Sequence, residues 1–291
     1  MTANQVRKTL LFYGISSLLG LLVGLVAASF KELVFYFSQV QKATLSLNLS
    51  STFEILLSIS ISIIFTVTAL FLVHRYSSEA KGSGIPEIEG RLLGLRPIHW
   101  RSLLPVKLIG ASLSLGANMI LGREGPTIQM GGNVGAMLAE KFRLSHIRTD
   151  ILIGAGAAAG LSAAFNAPLA GILFILEEMR NHFRLSITSF QSVMIACVVS
   201  TIVVNIIFGS EAEIHMHHFQ SPPLWSLYLF FILGLVVGIV GLLFNKGLTT
   251  LLSKTKHFSF KQRLFYTAIT AAVIGFIHYE SPALVGGGYQ I

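Results

Sequence analysis

Long apolar runs and short charged clusters alternate along this chain. Four windows, at about 20 residues each, are long enough to cross a bilayer as helices: Thr9–Phe30, Phe53–Val73, Thr188–Phe208 and Leu224–Phe244. Leu264–His278 is a shorter fifth window. The middle of the chain is more broken. Lys107 to Leu121 is interrupted by Gly110, Gly116 and Asn118. Ile151 to Leu176 carries no charge, yet Asn166 and Pro168 cut it, so the pattern predicts two short helices rather than one span. Interrupted helices at membrane depth belong to proteins that line a substrate site with them. The expected fold class is therefore all-α, a polytopic membrane protein with broken and re-entrant helices.

Composition supports that reading. Of 291 residues, 53% are hydrophobic and 12% charged, against about 25% charged in soluble domains. The net charge is +8, but Lys and Arg lie in clusters between apolar runs, a topology signal rather than a nucleic-acid stripe. Arg7 and Lys8 precede the first window; His74, Arg75, Lys81, Arg91, Arg96 and Arg101 follow the second; Arg180 and Arg184 precede the third. The segment from Gly209 to Pro223 holds Glu211 and Glu213 and no Lys or Arg. This bias predicts a cytoplasmic N-terminus, and the expected location is the cell inner membrane, as an integral, multi-pass protein. The first apolar run is too long for a signal-peptide core and is read as retained.

An internal similarity sharpens the organisation. Leu19-Gly20-Leu21-Leu22-Val23-Gly24-Leu25-Val26 resembles Leu233-Gly234-Leu235-Val236-Val237-Gly238-Ile239-Val240, and Phe30 then matches Phe244. Gly82-Ser83-Gly84-Ile85-Pro86 has a weaker counterpart in Gly286-Gly287-Gly288-Tyr289. One copy begins inside and the other outside, the mark of an inverted-topology repeat. The expected domains are a first membrane repeat over 1–210 and the start of a second over 223–291. A partner for Gly122–Pro126 would fall beyond Ile291, so the second repeat is expected to be incomplete, as in a fragment or a truncated product.

The candidate chemistry is concentrated in two places. Gly122-Arg123-Glu124-Gly125-Pro126 puts a carboxylate and a guanidinium between apolar runs, where ionisable groups mark function. Pro126 suits the first turn of a helix. Glu124 would then sit at a helix N-terminus, either as a simple dipole partner or as a carboxylate that competes there with a bound anion and leaves when protonated. Gly82-Ser83-Gly84-Ile85-Pro86-Glu87 reads as a turn with a Ser N-cap or as an anion site of exposed amides and a hydroxyl. Glu177 and Glu178 are a solvated acidic pair or a proton entry point. Lys107 either snorkels to the interface or lends positive potential to a pathway. Gly154, Gly156 and Gly160 fit small-residue helix packing better than a dinucleotide loop. His215, His217 and His218 could bind a metal, but a short outside loop gives them no fixed geometry. The single Cys197 cannot pair within the chain. No Walker loop, nucleophile elbow or zinc-protease motif occurs. No enzyme, cofactor or metal is expected.

Three segments in order, Gly82–Pro86, Gly122–Pro126 and Ala164-Phe165-Asn166-Ala167-Pro168-Leu169-Ala170-Gly171, followed by Glu177-Glu178, resemble the CLC family of chloride channels and proton–chloride antiporters. The resemblance implies an inverted-repeat membrane fold, chloride and protons as transported ions, a lipid bilayer as surroundings, and a homodimer when full length. It implies that Ser83, Gly84 and Ile85 contribute to a central anion site. Glu124 is implied as the gating glutamate within Gly122, Arg123, Gly125 and Pro126, and Glu178 as the internal proton-transfer residue of exchangers. The family's later Gly-x-Phe-x-Pro segment, its distal tyrosine and the nucleotide-binding modules of some members have no counterpart here; Tyr289 is not that tyrosine.

Overall fold

The computed structural model describes residues 3–44, 50–178, 186–210 and 222–287. These are helical, with no strand among them: α1 (Ala3–Ala43), α2 (Ser51–Tyr76), α3 (Ile85–Leu92), α4 (Trp100–Gly116), α5 (Glu124–Lys141), α6 (His146–Phe165), α7 (Pro168–Glu177), α8 (Ile187–Phe208), α9 (Leu227–Thr255) and α10 (Phe260–Glu280). Arg180, Arg184, Glu211, Glu213, the His215–His218 cluster and Tyr289 lie outside the described residues.

Among the described residues, four helical stretches are long and apolar enough to cross a membrane: Val6–Ala43, Ser51–Tyr76, Ile187–Phe208 and Leu224–Thr255. Each overlaps one of the four hydropathy windows. The first helix runs well past Phe30, because Lys31 and Glu32 end an apolar window without ending a helix. At 1.5 Å per residue it is about 60 Å long, so it tilts or projects beyond a core about 30 Å thick. The break at Asn166–Pro168 falls as expected. Asn166 adopts a left-handed conformation (φ 53°) that closes α6, and Pro168 begins α7.

The chain forms two compact units, Met1–Glu213 with Ala268–Ile291, and Ile214–Thr267. The smaller unit contains α9. The larger is built on α5 and α6, whose backbones touch. A Cβ on Gly156 would lie 2.8 Å from the carbonyl carbon of Gly131, and one on Gly160 would lie 2.8 Å from that of Thr127. Small residues allow this approach in a membrane protein, where close van der Waals contact drives association. The same device joins α1 to α8: a Cβ on Gly20 would meet the Ala196 carbonyl oxygen at 2.6 Å, and one on Gly24 would meet the Ser200 carbonyl oxygen at 2.9 Å. Around these contacts Leu19, Val23, Leu152, Ile153, Ala155, Ala157–Ala159, Val193 and Ala196 form the buried core. That core packs around α5, which opens at Glu124.

Candidate anion site at two helix N-termini

Glu124 opens α5, with Arg123 as the N-cap and Pro126 in the first turn. The first amides of a helix have no intrahelical acceptor, so Pro126 removes no needed bond and the remaining amides stay available. The half-buried carboxylate of Glu124 turns back over its own helix N-terminus. A Cβ on Gly122 would lie only 3.2 Å from Glu124 Cδ and closer still to its Oε2, so glycine at 122 makes room for it. A negative group in that position faces the positive end of the α5 dipole.

The second motif packs directly on the first. A Cβ on Gly125 would lie 2.7 Å from the Ser83 carbonyl oxygen and 2.9 Å from Ser83 Cβ. One on Gly84 would lie 2.6 Å from Gln129 Cβ, on the next turn of α5. Gly82 and Gly84 both have positive φ (73° and 95°), which turns the chain tightly into α3. Two helix N-termini, those of α3 and α5, are thus brought together, with Ser83, Gly84 and Ile85 on one and Glu124 on the other.

The expected Ser83 cap is not made. Gly84 is the N-cap of α3, and no side chain caps the helix. With Gly84 left-handed, the helix starts one residue later than a serine cap requires, and Ser83 is left exposed. Its hydroxyl is therefore not consumed by the helix.

Two residues that no local motif singled out hold the turn. Lys107, 3% exposed, donates from Nζ to the carbonyls of Gly82 (2.7 Å) and Ala80 (3.1 Å). Buried rather than snorkelling, it ties down the segment leading to Ser83. From α5, Gln129 Nε2 donates to the Glu79 carbonyl at 2.8 Å. Lys107 had been visible in sequence as a lone cation. Gln129 had no such signal, because one amide in an apolar helix reads as a packing residue. Further out, Glu87 pairs with Arg96 and Glu79 with His99, and Trp100 Nε1 and Arg101 both donate to Glu140 (2.6 and 2.7 Å). The hydrogen bond to Glu87 raises the pKa of Arg96 above its ordinary value.

Of the third motif, Ala164 lines a small crevice together with Ala163, Arg123 and Thr127. Glu178 stands apart. It follows α7 as an exposed C-cap, its amide bonded to the Phe174 carbonyl, and the structure does not bring it to Ser83 or Glu124.

Fold and site together define a multi-pass helical membrane protein with broken helices, in which the N-termini of α3 and α5 lie side by side. The chain belongs to the CLC family. Residues 63–291 match the family model described as "Voltage gated chloride channel". The chain is 42% identical over 281 residues to the H(+)/Cl(-) exchange transporter ClcA of Vibrio parahaemolyticus, and 42% identical over 282 residues to that of Vibrio cholerae. Each alignment covers 95% of this chain but 60% of the relative. The chain thus spans about three fifths of the length of these curated relatives. The solved structure of a slow cyanobacterial Cl-/H+ antiporter superimposes with a TM-score of 0.87 at 36% identity, over 96% of this chain and 66% of that one. A CLC-type fluoride/proton antiporter shares the fold (TM-score 0.78) at 19% identity.

Proposed function

We propose that this chain carries the anion site and gate of a proton-coupled chloride antiporter. The observation that carries the proposal is the Glu124 carboxylate lying over the N-terminus of α5, whose Gly125 packs against the turn that bears Ser83. A chloride ion and a carboxylate favour the same amide groups. Ionised Glu124 occupies the place and excludes the anion; protonated Glu124 loses its attraction to the dipole and yields to it. One side chain then exchanges a proton for an anion, the elementary event of antiport. Ser83 and the amides of Gly84 and Ile85 offer the anion its neighbouring stop. Gly122 and Gly125 leave room, while Arg123 and Pro126 shape the helix start. Glu178, exposed and separate, supplies protons from the cytoplasmic side.

The wider reading follows the charge bias and the internal similarity. The N-terminus is cytoplasmic in a cell inner membrane; 1–210 forms one repeat and 223–291 begins its inverted partner; the complete protein is a homodimer. The relatives named as H(+)/Cl(-) exchange transporters favour antiport over a passive channel.

Flux in proteoliposomes tests this. Glu124→Ala is expected to pass chloride without driving protons, and Glu178→Ala to keep chloride flux while losing proton movement. Intact coupling in the first variant would remove the gate role of Glu124. A reversal potential indifferent to the proton gradient would make the native protein a passive chloride channel. No flux at all in the native chain would make it a transport-inactive partner.

A further inference from the structure

We propose that His278, acting through Asn118, is a positioning residue for the gate: the pair fixes the loop that delivers Glu124 to the α5 N-terminus. The inference rests on the role of Glu124 proposed above.

The α4–α5 connection is short and mostly exposed, with Ile120 at 65% and Leu121 at 48% exposure. Asn118 is its anchor. It is left-handed (φ 56°), a conformation asparagine tolerates better than most residues, and it is 9% exposed. Both ends of this residue are held by the segment after 267. Its carbonyl accepts from the Gly286 amide at 2.8 Å. Its Nδ2 donates to His278 Nδ1 at 3.3 Å.

His278 is 2% exposed, and its Nε2 has no protein partner. A ring nitrogen buried without a partner costs free energy that a leucine at this site would avoid. The bond to Asn118 is what that cost secures. The helix that carries the imidazole is itself fixed one turn earlier. The Gly275 carbonyl accepts from Ser58 Oγ at 2.8 Å, and Ser58 and Ser62 in turn accept from Gln41 Nε2 at 3.2 and 3.0 Å. A Cβ on Gly275 would lie 2.8 Å from Ile59 Cα. The last turns of α10 are thereby locked to α1 and α2, and His278 passes that fixed frame to the loop six residues ahead of the gate.

Hydrogen–deuterium exchange of the protein in lipid nanodiscs tests this without requiring transport. His278→Ala is expected to speed exchange of the amides over 119–123 about five- to tenfold, leaving those of α5 and α6 unchanged. His278→Asn, whose side-chain oxygen replaces Nδ1 as acceptor, is expected to restore native rates. Unchanged loop exchange in His278→Ala, or no restoration by asparagine, overturns the proposal. If α6 also exchanges faster, a double-mutant cycle with Asn118→Ala decides: a non-additive effect on the loop supports the contact, and an additive one overturns it. Chloride affinity insensitive to Glu124→Gln would remove the gate reading while leaving the loop result standing, so the two failures are distinct.

Discussion

Individual residues divide by how far their partners lie along the chain. Glu124 was legible because its neighbours in sequence, two glycines, a proline and apolar runs, already made it expensive and placed it at a helix start. Lys107 was legible as a lone cation but not in its task, since the carbonyls it holds lie 25 and 27 positions earlier. Asn118 was legible as a break in an apolar run, but its pairing with His278, 160 positions apart, carried no sequence signal. Ser83 shows the opposite error. Local preference put a serine at the cap, and the glycine beside it, free to adopt positive φ, took the place instead. Lys107→Met keeps the bulk and removes two charge-assisted bonds. It is expected to destabilise the protein by about 1–3 kcal/mol and to weaken chloride binding, read by thermal unfolding and by chloride titration of the same sample. Unaltered stability and affinity would make Lys107 a spectator.

Elements were read best where the chain breaks. Gly, Asn and Pro act locally, so the α6–α7 break and the start of α5 could be placed from sequence. Lengths were read less well. Hydropathy ends α1 at its first charges, whereas the helix continues through them to Ala43. Pairing of elements was only half visible. Gly156 and Gly160 were recognised as packing glycines, but their partners on α5 were not, because close approach depends on two helices meeting at matching heights. Valine at 156 would press on the backbone of Gly131 and Gly132, which cannot turn aside. Gly156→Val is expected to cost about 3 kcal/mol or more, seen as a lowered melting temperature or loss of the folded fraction in size-exclusion chromatography. Gly14 has nothing within 4 Å of its Cβ position, and Gly14→Ala is expected to leave both measurements unchanged.

At the scale of the molecule, the hydrophobic pattern specified an all-α membrane protein, and the motifs pointed to its family. The proposed function rests on the meeting of the N-termini of α3 and α5, with α5 packed closely against α6. The proposed orientation is checked by cysteine labelling in sealed cells. A cysteine at Thr9 or Tyr76 is expected to react only after the membrane is opened, and ready reaction from outside would reverse the topology. The proposed gate is a competition between the Glu124 carboxylate and an anion for the N-terminus of α5. Chloride affinity measured against pH, in native protein and in Glu124→Gln, tests that directly. Native affinity is predicted to rise as pH falls, while Glu124→Gln binds tightly at every pH. The same pH dependence in both proteins would contradict it.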